Sequence, residues 1–305
     1  MKKFWSLTSV LSLFLIGSNV FAMSSTNYWI SWDTVNSGGD DVGTSTNFSI
    51  YDSIGGNVVG TGTSANYTLS QGYRVPEEAN TLSYIVKANS SVTTTYSAFT
   101  NGVGGTISVG STNGFAAGNL IAVVENRGFG QLVAVGFISA ISGTTITIDR
   151  FEGDGASMSA LPTGGNDFVS LLNVNSFDFG SVYAGTEYTS TVGTSILTNV
   201  STGYSVYIQG NQYLQKTNLQ VMAPVTDGTV SVGFEEYGAE VTGTTAFGAG
   251  TDRGVTTTQR VIQTSASASG TVSDKVAMIF KLSIAASTVP GTYTQTVYYT
   301  LTANY

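Results

Sequence analysis

Short runs of β-branched and aromatic residues, separated by glycine, recur along the chain and limit its fold more than any other feature. Clear examples are residues 121–124, 132–141 and 144–148, and a glycine-containing connection at 126–130 joins the first two. Runs of this length and composition predict strands, and the connection predicts a hairpin. The sequence therefore predicts an all-β fold, in which residues 213–219 form the one plausible helical turn.

The pattern divides the chain into three β regions after a leader at residues 1–22. We expect an N-terminal β-repeat module at 23–75, a small β-barrel or sandwich domain at 81–172, and an immunoglobulin-like β-sandwich at 173–305. Residues 76–80 suit an exposed connection because they combine a proline with paired glutamates. Seven strand candidates in the third region are typical of a two-sheet sandwich. They are residues 177–182, 188–200, 203–208, 230–234, 260–265, 276–285 and 292–305.

A repeated motif of Ser, Thr or Ala, Asn and an aromatic residue organises the first region. Its copies begin at Ser25, Ser45 and Ser64, which are 20 and 19 residues apart. Alternating apolar residues within each copy predict a strand, a turn and a return. We interpret the region as an assembly module or as a small sheet docked on its neighbour. The residues expected to mediate assembly are Tyr28, Ile30, Trp32, Phe48, Ile50, Tyr67 and Leu69.

The first 22 residues have the organisation of a secretory signal peptide. Lys2 and Lys3 precede an uncharged stretch at 4–17, and Val20 and Ala22 occupy the small-residue positions of a cleavage site. A helical membrane anchor, the alternative, needs ~20 apolar residues, and no later stretch suits a transmembrane helix. We therefore expect cleavage after Ala22 and a secreted or cell-surface protein.

Composition removes most catalytic chemistries. The chain has no Cys and no His, so it has no disulfide, thiolate nucleophile or imidazole base. Its net charge of −8, which loss of Lys2 and Lys3 would lower to −10, disfavours nucleic acid as a partner. Carboxylates remain, so a glycosidase-type pair is the enzyme hypothesis. The close acids are Asp40, Asp41, Glu77, Glu78, Glu235, Glu236 and Glu240.

Asp149, Glu152 and Asp154 give the strongest case for a bound cation. Calcium binds several oxygens from a turning backbone, and Gly153 lies between two of these carboxylates. The full loop of alternating acids is missing, so an ordinary hairpin tip is the alternative. We expect no cofactor, with calcium at these three residues as the one alternative.

An alternative ligand and an alternative architecture also stay open. Trp29 and Trp32 could stack on glycans if they lie on a sheet surface. Alternating apolar residues at Val297, Tyr299 and Leu301 fit the closing strand of an outer-membrane β-barrel. The same alternation is typical of the last strand of a sandwich.

Two segments also carry a family resemblance. Residues 114–121 resemble the strand entry of small β-barrel modules in surface and fibre proteins, and residues 290–302 resemble the closing strand of bacterial fimbrial and spore-coat-type sandwiches. With the N-terminal repeat, the arrangement is similar to uncharacterised secreted β-sandwich surface proteins of bacteria. We expect an exported, non-enzymatic structural or adhesive protein of a surface layer, filament or adhesion system. Its expected partners are further copies of itself, other envelope proteins or glycans.

Overall fold

The structure is a computed structural model that describes residues 80–217 and 220–304, together with six short strands between residues 24 and 71. The chain divides into two compact units, Met1–Ala79 and Asn80–Tyr305. The described residues form strands and no helix, so the all-β prediction is confirmed. They include no helix of the length and hydrophobicity needed to cross a membrane. The predicted signal peptide lies outside the described residues.

The described strands of the Met1–Ala79 unit form three antiparallel two-stranded ladders. The ladders are β1–β2 (Ser24–Ser25, Tyr28–Trp29), β3–β4 (Gly43–Ser45, Phe48–Ile50) and β5–β6 (Gly60–Thr63, Thr68–Gln71). Ser25 pairs with Tyr28, and Ser45 pairs with Phe48. The repeat motif is therefore the place where each of these two chain segments returns on itself. Gly38-Gly39 and Gly55-Gly56, which separate the copies in the sequence, lie outside the described residues.

Fourteen strands lie in the described part of the Asn80–Tyr305 unit. They are β7 Leu82–Thr94, β8 Tyr96–Phe99, β9 Thr106–Val109, β10 Leu120–Glu125, β11 Leu132–Ser142, β12 Thr145–Ile148, β13 Glu152–Gly153, β14 Phe168–Val174, β15 Glu187–Thr198, β16 Tyr204–Gly210, β17 Glu236–Thr242, β18 Arg260–Ser265, β19 Asp274–Ser283 and β20 Val297–Ala303. The predicted runs at 121–124, 132–141 and 144–148 are confirmed as β10, β11 and β12. The predicted hairpin connection at 126–130 joins β10 to β11.

Eleven of these strands form one antiparallel ladder in the order β17-β19-β15-β7-β14-β10-β11-β12-β9-β8, with β13 paired to β11. β7 pairs with β15 through residues 82–88 and with β14 from Ala88 onward. Only Thr95 separates β7 from β8, so one bent stretch of chain lies both inside the ladder and at its end. The ladder must therefore curl. It encloses a core that includes Tyr96 and Ile121.

The strands β18-β16-β20 form a second sheet. Alternate residues of β16 point inward, and Tyr204, Val206 and Ile208 are buried. They belong to one apolar cluster with Val192 of β15 and Phe280 of β19. Residues 173–305 and the first half of β7 thus build the predicted two-sheet sandwich.

A third apolar cluster joins the two cores. Leu120, Ala122 and Val124 of β10 pack with Ala277 and Ile279 of β19, so β19 is buried on both faces. The boundary predicted after residue 172 falls inside β14, and both regions use β7. The division at residues 79–80 separates the two compact units. Independent folding of the regions on either side of residue 172 stays a prediction.

Two strand predictions in the third region are wrong. Residues 177–182 and 230–234 contain no strand. Phe177 instead reaches the core from a loop, with its ring centroid 4.9 Å from that of Phe280. Val230 is likewise buried from a loop. Phe177 and Phe179 are partly buried and alternate with exposed residues, as in a half-buried strand, whereas Val232 and Phe234 of the second segment are exposed.

The predicted helical turn at 213–219 is also wrong for the part of it that the structure describes. Gln215 forms isolated β-bridges with Val221 and Thr294. This short extended segment packs Leu214 into the sandwich core, which explains its apolar residue.

Candidate functional site

The carboxylates predicted to bind calcium make contacts within the protein. Asp149 Oδ2 lies 2.7 Å from the Nζ of Lys275, whose side chain is fully buried. Asp154 accepts hydrogen bonds from the backbone N–H of Val133 at 3.0 Å and the hydroxyl of Thr242 at 2.5 Å. Both acids therefore join the curled part of the ladder to the sandwich strands.

Glu152 has the same role. Its carboxylate lies 2.8 Å from Arg150 Nε and accepts a hydrogen bond from the hydroxyl of Thr244 at 2.6 Å. Arg150 also reaches Asp274 at the start of β19. Among residues 80–217 and 220–304, no three acidic side chains are grouped to hold a metal ion. The geometry places these carboxylates at the junction between the two cores.

A second carboxylate cluster surrounds Lys281 of β19. Its Nζ lies 2.7 Å from Glu240 Oε2 and 2.8 Å from Asp252 Oδ1. Burial raises the pKa of the nearby Glu187 carboxyl; Lys281 opposes the shift, while Asp252 and Glu240 add to it. The sequence signalled this cluster only through Glu240, because the other members come from distant positions.

Acid pairs line none of three cavities in the described part of the Asn80–Tyr305 unit. Two of these cavities each contain one acid, Asp178, and a third contains one acid, Asp149. The cluster around Lys281 lines none of the three. These cavities therefore lack the facing carboxylates that the glycosidase hypothesis requires.

The predicted assembly residues fall on the N-terminal ladders or outside the described residues. Tyr28 lies in β2, Phe48 and Ile50 lie in β4, and Leu69 lies in β6. The other three are outside the described residues: Ile30, Trp32 and Tyr67.

A groove of about 630 Å³ opens at one side of the sandwich. Val86 of β7 lies on one wall, and Val297 and Tyr299 of β20 lie on the other. Phe177 and Gln295 also line the groove. The Oε1 of Gln295 is buried and has no hydrogen-bond partner among the described residues. The groove thus exposes part of the sandwich core between two sheet edges.

β20 forms the bare wall of this groove. The N–H of Asn304 donates to Gly203 at 3.0 Å and the N–H of Asn211 donates to Thr296 at 2.8 Å, so even-numbered residues of this segment face β16. The N–H and C=O groups of the odd-numbered residues therefore point away from β16. Among the described residues, nothing hydrogen-bonds to these outward groups. The residues concerned are Val297, Tyr299, Leu301 and Ala303.

The outer edges of β17 and β18, in contrast, are covered. β17 exchanges backbone hydrogen bonds with Ala223, Val225 and Arg253. β18 receives a segment in which Thr245 and Phe247 bond to its backbone. The sequence predicted β20 as a closing strand, but it did not predict that its edge would be bare. The available signal was the absence of charged residues from 290 to 305.

No protein-family model, curated protein or solved structure matches the chain. The residues of the chain and their geometry are therefore the basis for its proposed function.

Proposed function

We propose that this protein is an exported, non-enzymatic structural or adhesive component of a cell surface, and that it works by self-association. The bare edge of β20 carries the proposal. Among the described residues, nothing pairs with the outward N–H and C=O groups of its odd-numbered residues and no segment covers them, and the strand contains no charged residue and no proline. An edge strand of this kind is a template for pairing with another chain.

The N-terminal ladders support the same function. A two-stranded ladder is marginally stable in water and gains stability when a further strand or surface covers it. β1–β2, β3–β4 and β5–β6 each have two strands among the described residues. Contacts between copies through Phe48, Ile50 and Leu69 would add cover of this kind.

The distribution of charge also favours a structural role. Asp149, Glu152, Glu240 and Asp252 are each within an ion pair inside the second unit. Groups held in this way stabilise the fold and are not presented to a substrate. The proposal therefore assigns the acids to stability and the strand edges to function.

Expression of the full chain in a bacterial host tests the proposal. We expect protease-accessible protein on the cell surface, and sedimentation of the purified protein as concentration-dependent assemblies. Deletion of residues 23–75 should preserve the β-sheet circular dichroism of the second unit but remove surface retention and the larger assemblies. As a matched control, Gly165→Ala, at a position with open space around it, should behave as the wild type.

Three results would contradict the proposal: retention in the cytoplasm, a monomer at all concentrations, or hydrolysis of a glycan that is lost in Glu240→Gln. The last result would favour the carboxylate-based alternative, because Glu240 belongs to the acid cluster around Lys281.

A further inference from the structure

We propose that two copies of this chain pair through β20, antiparallel and about a two-fold axis at Thr300. This would join two three-stranded sheets into one sheet of six strands. The inference rests on the proposed function of self-association, and it identifies the surface, the partner and the register of one contact.

The backbone of β20 is complementary to itself in this register. A two-fold axis at Thr300 sets Tyr299 opposite the partner's Leu301, and Val297 opposite the partner's Ala303. All four residues have outward N–H and C=O groups. Directly opposite residues of this type exchange two hydrogen bonds in an antiparallel ladder. The pairing would therefore satisfy the outward groups of the whole strand.

The side chains also match in this register. Val297, Tyr299 and Leu301 are partly buried members of the sandwich cluster, and they lie on one face of β20. Pairing would set an aromatic ring beside the partner's Leu301, which is a favourable cross-strand pair. On the other face, Thr300 would meet the partner's Thr300, and Tyr298 would meet the partner's Thr302. Neither face brings charges together.

Charge explains why this edge pairs with its own copy. The chain has a net charge of −8, so two copies repel each other over most of their surface. Residues 290–305 carry no charged side chain, so repulsion is least there. The covered edge of β17 contains Glu236 and Glu240, and the free half of β7 contains Lys87. Self-pairing of β17 about Gly238 would set Glu236 opposite the partner's Glu240, and self-pairing of β7 would bring two copies of Lys87 into one ladder.

Cysteine cross-linking reads the register directly, because the chain contains no cysteine. Opposite residues in a non-hydrogen-bonded pair have Cα atoms ~4.5 Å apart, which a disulfide can span. Full-chain Thr300→Cys should therefore form a disulfide-linked dimer under mild oxidation. Thr302→Cys alone is the matched control and should stay unlinked, because its own copy lies several residues away. An equimolar mixture of Tyr298→Cys and Thr302→Cys should form the mixed dimer.

A charged variant tests the strength of the contact. Thr300→Lys sets two ammonium groups opposite each other, so its dimer dissociation constant should rise at least about tenfold. A mixture of Thr300→Lys with Thr300→Asp should restore dimerisation. Sedimentation velocity over a concentration series gives both results, and circular dichroism checks the fold of each variant.

Several outcomes would overturn this assignment. One is equal cross-linking of Thr300→Cys and Thr302→Cys, which indicates random collision. Another is a Thr300→Cys cross-link that disappears on deletion of residues 23–75, since the N-terminal unit, and not the β20 edge, would then hold the two copies together. Should Thr300→Cys not fold, the mixed pair of Tyr298→Cys and Thr302→Cys decides the register.

The two proposals fail in different ways. If large assemblies form on cells but no Thr300→Cys dimer appears, the β20 contact is wrong and self-association stands. If the Thr300→Cys dimer forms but the protein is neither exported nor assembled further, the pairing stands and the cell-surface function is wrong.

Discussion

The edge strands β17 and β20, one from each sheet, differ in how their outer edges are covered. β17 is covered by backbone hydrogen bonds to Ala223, Val225 and Arg253, and its Glu240 is paired with Lys281. β20 has neither a covering segment nor a charged residue among the described part of the chain. Both strands have seven residues and one antiparallel neighbour, so length and pairing do not explain the difference.

The edge of β17 is closed by the chain segments on either side of it, which fold back over the strand, and by a buried charge cluster; the first uses extra chain length and the second costs desolvation. Proteins normally guard strand edges because an open edge pairs with other chains. The same fold therefore covers the edge of β17 and leaves the edge of β20 uncovered among the described residues. Substitutions near the covered edge of β17 should therefore change stability more than substitutions at the open edge of β20.

Loss of the Lys281 charge should lower the free energy of unfolding more than any other change considered. Lys281→Met leaves Asp252 and Glu240 without their counter-charge, and removal of one partner from a buried ion pair costs ~3–5 kcal/mol. Urea unfolding near neutral pH measures the change in free energy. Lys87→Met is the control, because Lys87 makes one exposed hydrogen bond, to Asn175. Equal loss in both variants would contradict the role of the cluster in closing the β17 edge.

A methyl group added at Gly238, beneath the segments that cover β17, should cause the next largest loss of stability. A Cβ at Gly238 would lie 2.4 Å from Val225 Cγ1 and 2.9 Å from the backbone oxygen of Arg253. Gly238→Ala should therefore destabilise the protein by ~1–3 kcal/mol, because the cover must move. Gly165→Ala, which meets nothing within 4 Å, is the control for the added methyl group. Increased protease cleavage near residue 225 in Gly238→Ala alone would confirm that the cover of β17 has been displaced. Unchanged stability would show that this segment does not pack tightly on Gly238.

The charge cluster should also give the guarded edge a pH dependence. Burial raises the folded-state pKa of Glu187 above 4.5, Lys281 opposes this, and Asp252 and Glu240 add to it. The folded state then binds this proton more tightly than the unfolded state, so its contribution to stability is lost as pH rises through the raised value. Glu187→Gln lacks this titration.

The stability of Glu187→Gln relative to the wild type should therefore increase as pH rises above 4.5. Urea unfolding in steps from about pH 4 to about pH 8 measures the difference between the two proteins. A constant difference across this range would show that Glu187 does not titrate as its surroundings require.

The smallest effect on stability is expected at the open edge. Thr300 is exposed, so Thr300→Lys should change the unfolding free energy of dilute protein by less than ~0.5 kcal/mol. Its effect should appear in self-association and not in folding. A loss of stability comparable to that of Lys281→Met would mean that the edge is covered within one chain.

Sequence patterns succeeded where a strand lies next to its neighbour in the chain. The hairpin from β10 to β12 was predicted because short glycine-containing connections fix its pairing. Patterns failed where a loop imitates a strand, as at Phe177, whose ring packs on Phe280 from outside both sheets. β7 was missed because its first half has mixed polar and apolar residues, and only its place between β14 and β15 keeps it extended.

The candidate site divides in the same way. The segment containing Asp149, Glu152 and Asp154 was singled out from the sequence, but apart from Arg150 the partners of these acids lie outside it, in β11, in β19 and in the chain around Thr242. An acidic segment attracts any cation, and the nearest one here is Lys275, at 2.7 Å, from a strand more than a hundred residues away. Spacing within a segment cannot predict such a neighbour.

The sequence by itself determined that this chain is all-β, because alternation and turn residues act over a few positions. It also determined that β20 carries no charge. Only the tertiary structure decided which edges are covered and which acids meet which cations, because those contacts join positions far apart in the chain and exist only once the sheets have packed.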